Sequence, residues 1–332
     1  MIDILLLILG LTLILAGANY LVDGASAIAK RAGLSDFIIG MTIVGIGTST
    51  PEMVVSFASA IKGNADIAVG NVLGSNIFNT LMILGATALF SPIRLTSNNV
   101  KKDIPFALLA AFVLCTFGCS TWLDGTAVNT ITRVGGILLL SLFGVFMAYT
   151  IYSSSSQGTT TDNPDNPSGS KKTAPTWLAS LMILGGLCGL VFGGDMFVNA
   201  ASAIAKSLGV SDAVIAVTIV AGGTSLPELA SCLVAAYKKN TDQALGNVIG
   251  SNVSIEGLFV FCIFCLRTRL FLGQGYYFIY IIYHPLFRVA ELFFVLSHGI
   301  HRFEGCFVFP IVFCEYVVYG FFGHSAQCFV EE

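Results

Sequence analysis

Residues 47–52 read GTSTPE, and residues 223–228 read GTSLPE. Working outward from this pair, a shift of 176 residues superimposes 24–76 on 200–252 without a gap, with 29 of the 53 positions identical. ASAIAK recurs at 25–30 and 201–206, TIV at 42–44 and 218–220, and GNVxGSN at 70–76 and 246–252. Self-similarity of this length marks an internal duplication, and it fixes the plan of the chain before any single helix is assigned.

The surroundings of the two copies are apolar. Of 332 residues, 55% are hydrophobic and 11% charged, against roughly a quarter charged in ordinary soluble proteins. Apolar runs approach the ~20 residues that a helix needs to span a bilayer. The fold class read from this is an all-α polytopic membrane protein. Helices are expected near 2–22, 36–62, 68–90, 104–121 and 131–152, then 177–198, 212–238 and 243–266. The mid-chain copy of the first helix argues that 2–22 is a membrane helix and not a signal peptide. Residues 153–175 are rich in Ser, Thr, Asn, Pro and Gly and read as a flexible hydrophilic linker. The domains expected are therefore a first repeat over 1–152, a linker over 153–175, a second repeat over 176–266 and a C-terminal region over 267–332.

Five helices per repeat is an odd number, so the second repeat must enter the membrane from the opposite side. Lysines and arginines support this, because cytoplasmic loops hold the excess of positive charge. With the N-terminus outside, inner loops before residue 253 carry nine (Lys30, Arg31, Arg94, Lys101, Lys102, Lys171, Lys172, Lys238, Lys239) and outer loops three (Lys62, Arg133, Lys206). The expectation is two inverted five-helix repeats, about ten helices, joined by a cytoplasmic linker. Inverted repeats are a recurrent plan of secondary transporters, with substrate at the midplane between them.

Glu52 and Glu228 fall within the second and seventh helices. An ionised side chain at that depth costs at least ~2.5 to 3.5 kcal/mol, so each is expected to face a cavity or a cation. Pro51 and Pro227 precede them, freeing helix carbonyls near Gly47 and Gly223. Thr48 and Thr224 stand one turn before each glutamate. In the neighbouring helices, Gly70/Gly74 and Gly246/Gly250 are small-residue pairs for close packing. Asn71, Ser75 and Asn79, spaced by four, read as a polar stripe along an ion path; in the second copy Asn247 and Ser251 continue to Ile255, so the row is incomplete. Carboxylates, carbonyls and hydroxyls without nearby His or Cys suit hard cations, and Ca²⁺ takes about 6–8 such oxygens. Two carboxylates neutralise one divalent ion and equally accept Na⁺ or protons, which is the basis of antiport at a shared site.

These paired motifs, GTSTPE with GNVLGSNIFN and GTSLPE with GNVIGSN, resemble the cation/calcium exchanger superfamily, specifically prokaryotic sodium/calcium antiporters, over about residues 1–252. The resemblance implies ten transmembrane helices, an outside N-terminus in the inner membrane and a central Ca²⁺ site made by Glu52, Glu228 and the backbone carbonyls of Thr48 and Thr224. It further implies flanking sodium sites at Ser49, Ser75, Ser225 and Ser251, with Asn79 near the centre. Ca²⁺ and Na⁺ are then the transported ions, with the lipid bilayer as a further partner. No resident cofactor is implied.

The chain departs from that pattern after the second GSN. It reads Val253, Ser254, Ile255, Glu256, Gly257, where the first copy has Ile77, Phe78 and Asn79, and the repeat stops. The last 80 residues hold 15 of the 26 Phe and all four His. A change at one residue is the mark of a reading-frame shift or a chimeric join, and a diverged terminus is the alternative. Cys262 and Cys265 form a CxxC without a partner pair, which is a weak zinc signal.

Other functions fare worse. A net charge of −3 without a basic block excludes a nucleic-acid footprint. An intramembrane hydrolase needs two carboxyls in different environments, whereas near-identical repeats predict similar ones. Cation/proton exchange at the same glutamates, or a non-transporting product of the altered C-terminal region, are the alternatives to sodium-driven calcium export.

Overall fold

The computed structural model describes residues 2–62, 65–118, 130–156, 174–210, 221–265 and 270–271. Helix α1, Ile2–Ala32, runs ten residues past the expected end because its last turns are small and buried: Gly24, Ala25, Ala27 and Ala29 pack inward. A serine N-cap at Ser35, accepting from the Ile38 N–H, opens α2, Asp36–Ile39. A π-helical turn over Gly40–Val44 leads into α3, Gly45–Thr48, and α4 is Thr50–Ile61.

The expected helix 36–62 is therefore two helices meeting at 45°. Pro51, expected to free carbonyls inside one continuous helix, stands instead in the first turn of a new helix, where its missing N–H costs nothing. Ser49, at φ −78° and ψ 3°, ends the first segment, and its N–H reaches back to the Gly45 carbonyl at 3.2 Å.

Helix α5, Ala65–Ile77, continues through a π-helical turn, Phe78–Ile83, into α6, Leu84–Phe90. A third π-helical turn, Asn99–Asp103, precedes α7, Ile104–Gly118, and α8 is Arg133–Ser156. In the second repeat come α9, Thr176–Ser207, the short α10, Ala221–Gly223, then α11, Leu226–Tyr237, and α12, Thr241–Cys265. A two-residue antiparallel pairing joins Thr130 to Phe271 and Ile131 to Leu270. Part of the expected seventh helix (211–220) and nearly all of 267–332 lie outside the described residues, as does the linker over 157–173.

Among the described residues, four helices are long and apolar enough to cross a membrane, and the bent pair α2–α4 makes a fifth. Their outer faces fit lipid: Ile4, Leu5, Ile8, Leu11 and Leu15 on α1, and Leu181, Leu184 and Phe192 on α9, are exposed. A soluble protein would not leave such a band uncovered.

Helices α1 and α9 occupy equivalent places in the two repeats, and they cross antiparallel. A Cβ on Gly10 would lie 2.9 Å from the Gly193 carbonyl oxygen, on Gly17 2.7 Å from that of Gly186, and on Gly24 2.8 Å from that of Ala179. As residue numbers rise on one helix they fall on the other. Backbone meets backbone along this seam, which only glycine allows. The core behind it gathers Leu21, Met41, Ile83, Leu190, Val248 and Val253 from both repeats.

Helix α12 runs beside the broken second span in the same direction. Its Gly246 faces the Phe37 carbonyl, Gly250 that of Met41, and the Ser251 hydroxyl donates to that of Gly45 at 3.3 Å. The small-residue pair read from the sequence is thus a packing device. At the end of α11, Lys238 pairs with Asp23 of α1 at 2.8 Å, too exposed to add much stability.

Candidate ion-binding site

Both glutamates lie in the first turn of a helix that restarts after a break: Glu52 in α4 and Glu228 in α11, behind Ser49 and Ser225. A helix N-terminus carries partial positive charge and favours a carboxylate there. Breaking the span thus does two things at once. It leaves helix-end backbone groups without intrahelical partners and steadies the acid placed beside them.

The two acids are buried, Glu52 at 0% and Glu228 at 1% exposure. They are near enough to repel one another when charged. Each faces the hydroxyl pair of the opposite repeat: Glu52 meets Ser225 and Thr224, and Glu228 meets Ser49 and Thr48. The bond across the repeats is explicit in one direction, where Ser225 Oγ donates to Glu52 Oε1 at 2.9 Å.

The remaining oxygens are bare. Ser49 Oγ, Glu52 Oε2, Asn79 Oδ1 and both Glu228 carboxylate oxygens are buried with no hydrogen-bond partner. An unsatisfied buried polar group costs about 1–3 kcal/mol, more when charged. These five atoms are of the kind a hard cation takes, being all oxygen and partly anionic.

Other predicted residues divide by role. Thr48 donates its hydroxyl proton to the Val44 carbonyl at 3.0 Å and lies 3.2 Å from Asn247 Oδ1, so its side chain braces α3 against α12. Ser251 holds the Gly45 carbonyl and the Asn247 amide oxygen, each at 3.3 Å. Ser75 is buried on α5, one turn before Asn79. Thr224 is half-buried.

The stripe Asn71, Ser75, Asn79 does not act as one row. Asn71 Nδ2 donates to the Glu52 carbonyl at 2.9 Å and to Ser56 Oγ at 2.8 Å, fixing the first turn of α4. Asn247 does similar work in the second repeat, donating to Ser231 Oγ at 2.7 Å. Ile255, the counterpart of Asn79, is 1% exposed and packs with Val69, Val72, Leu73 and Leu114. The polar row ends there, as its sequence implied.

Sequence reasoning missed Asn252 and Thr80. Asn79 Nδ2 donates to Asn252 Oδ1 at 3.2 Å, and Asn252 Nδ2 donates to Thr80 Oγ1 at 2.9 Å. Nothing in the spacing of GSN reveals this pairing, because it joins different repeats.

Comparison with known proteins gives a consistent picture. The profile of the family described as sodium/calcium exchanger protein matches residues 2–152 and 178–322, running past the end of the internal repeat. CaxA of Alkalimonas amylolytica is 39% identical over 252 residues, covering 74% of this chain and 75% of that protein. The sodium/calcium exchanger MaX1 of Methanosarcina acetivorans is 33% identical over 279 residues, covering 76% and 80%. Among solved structures, the sodium-calcium exchanger NCX_Mj soaked with Na⁺ and without Ca²⁺ superimposes with a TM-score of 0.77 at 30% identity, covering 96% of this chain and 97% of that one.

Proposed function

Because the chain belongs to the sodium/calcium exchanger protein family, a family of secondary transporters and not of enzymes, we propose that it exports Ca²⁺ against an inward Na⁺ gradient. One ion site serves both substrates. Calcium binds between Glu52 and Glu228, completed by the carbonyls of Thr48 and Thr224; sodium ions bind at the hydroxyls of Ser49, Ser75, Ser225 and Ser251. Asn79 lies near the centre.

The observation that carries this reading is the set of bare buried oxygens on Ser49, Glu52, Asn79 and Glu228. Two carboxylates left together without a counter-ion repel each other and are poorly solvated, so the site favours some cation at every stage. A divalent ion neutralises both acids at once. Sodium ions neutralise them separately, and competition for the same charge forces one substrate out as the other enters. Exchange then requires the site to open to one side at a time.

The antiparallel crossing of α1 and α9 supports inverted repeats, and the excess of Lys and Arg in the inner loops supports an outside N-terminus and a cytoplasmic 153–175 linker; about ten helices in the inner membrane complete the proposed topology. An impermeant maleimide should then label Lys62→Cys in intact cells and Ala32→Cys only after the membrane is opened.

The deciding experiment is ⁴⁵Ca²⁺ uptake into liposomes holding the purified protein. An outward Na⁺ gradient is expected to drive uptake and a pH gradient without Na⁺ is not. Uptake driven by the pH gradient alone would assign the same carboxylates to cation/proton exchange. No uptake under either gradient would make this chain a non-transporting product.

A further inference from the structure

Outside the residues already assigned to the ions, the most informative contacts are those of Asn252. It is 2% exposed, on α12, and bound by two consecutive residues of the other repeat. We propose that Asn252 is a positioning residue: it turns the Asn79 carboxamide so that its oxygen faces the ion site, and Thr80 holds Asn252 in the orientation that does this. The inference rests on the transport reading above and concerns the same site.

The argument is one of donors and acceptors. A carboxamide has an accepting end and a donating end, set on opposite sides of a planar group. Asn79 Nδ2 gives its proton to Asn252 Oδ1 at 3.2 Å, and its own Oδ1 is left buried without a partner. If Asn252 turned over, two NH₂ groups would face each other, and Asn79 would turn its oxygen away from the ions to meet one of them. In the orientation observed, Asn252 Nδ2 donates to Thr80 Oγ1 at 2.9 Å, a contact that anchors Asn252 on the side away from Asn79. The chain of contacts is thus Thr80 to Asn252 to Asn79, and only its last oxygen is free.

Local backbone makes the grip possible. Asn79 and Thr80 lie in the π-helical turn Phe78–Ile83, and both reach the same side chain on α12. Such turns recur at functional sites. The arrangement also gives the second repeat a part in this corner of the site. Its counterpart of Asn79 is Ile255, buried in an apolar cluster, so it offers no amide oxygen there. It contributes the residue that aims the oxygen of the first repeat.

The test is a double-mutant cycle in liposomes, reading half-saturation for Na⁺ and for Ca²⁺ separately. Asn79→Leu removes the oxygen and Asn252→Leu removes its guide. Each is expected to raise half-saturation for at least one ion by about three- to tenfold, the size of one hydrogen-bonded contact. The double variant should be no worse than Asn79→Leu alone, because a guide without its oxygen has nothing to aim. Thr80→Val should move the same ion's half-saturation in the same direction, and Thr80→Ser should restore it. Failure of the parent to exchange ions would sink the transport reading itself. A parent that exchanges normally, with an Asn252→Leu effect that adds in full to that of Asn79→Leu or leaves half-saturation unchanged, would overturn this inference and leave the transport reading standing.

Discussion

Ser225 Oγ donates to Glu52 Oε1 at 2.9 Å across 173 residues of sequence, joining the hydroxyl of one GTSxPE motif to the acid of the other. The motif is therefore complete only when two copies meet. Each copy contributes an acid at a helix start and a hydroxyl to the acid opposite, which is why neither half is expected to bind an ion alone.

Removing one acid separates stability from binding. Glu52 and Glu228 repel each other in the ion-free protein, so Glu52→Gln is expected to raise the unfolding temperature in chelator, by the equivalent of about 1–4 kcal/mol. The same change should abolish the stabilisation that Ca²⁺ gives the parent, about 2.7 kcal/mol at a hundredfold excess over the dissociation constant. Thermal unfolding with and without Ca²⁺ checks both. A variant that stays as stabilised by Ca²⁺ as the parent excludes Glu52 from the site.

Two serines at equivalent places in the repeats should behave differently. Ser225→Ala deletes a charge-assisted hydrogen bond, and a loss of about 1.5–3 kcal/mol in ion-free stability is expected. Ser49 Oγ faces Glu228 without a well-formed hydrogen bond, so Ser49→Ala should cost clearly less than Ser225→Ala without ions. Denaturant or thermal titration of both variants in chelator is the measurement; equal losses contradict the asymmetry.

The seam between α1 and α9 is tested by adding a single methyl group. Gly17→Ala would place carbon 2.7 Å from the Gly186 oxygen, forcing backbones apart at a cost of about 1–3 kcal/mol. Gly144→Ala on α8 meets nothing within 4 Å and serves as the neutral control. The unfolding temperature should fall for the first and hold for the second.

Asp103 predicts a pH dependence apart from transport. It lies just before α7, 7% exposed, bonded to Asn99 Nδ2 at 3.0 Å. Burial raises its pKa from 3.8 to about 6, against the weaker pull of Asn99 and Lys102. A raised carboxyl favours the folded state in its protonated form. The cost of ionising it is absent below about pH 4, grows as pH climbs through 6 and is full above. At pH 7.5, Asp103→Asn should therefore stabilise by on the order of 2–3 kcal/mol, a gain that shrinks towards pH 5. Unfolding measured from pH 5 to 8 checks the trend; a gain that grows on acidification has the wrong sign.

Much of this was legible in the sequence because the repeat states it twice. GTSxPE named both acids, and Gly246 and Gly250 named the close packing of α12 on the second span. What escaped were contacts that depend on where one repeat lies against the other. Asn71, read as part of an ion path, braces Glu52 through its backbone, and spacing by four cannot distinguish a pore face from a bracing face. Pro51 was visible, but whether a proline bends a helix or begins another is decided by the backbone just upstream of it. Ser49 leaves the helical conformation, and the helix restarts. The extra turns of α1 and α9 were missed because Ala-rich ends such as ASAIAK look too polar to continue a span, although their small side chains pack inward.

The pairing of Asn79 with Ile255 at corresponding places has a geometric consequence. If the duplication sets a two-fold axis between the glutamates, only one of these two corresponding places offers an amide. On the proposed reading, a cation drawn to the richer side would rest off that axis, nearer the amino-terminal half. Entry from one face and from the other would then be inequivalent paths, and a machine assembled from two near-copies would acquire a preferred direction of loading.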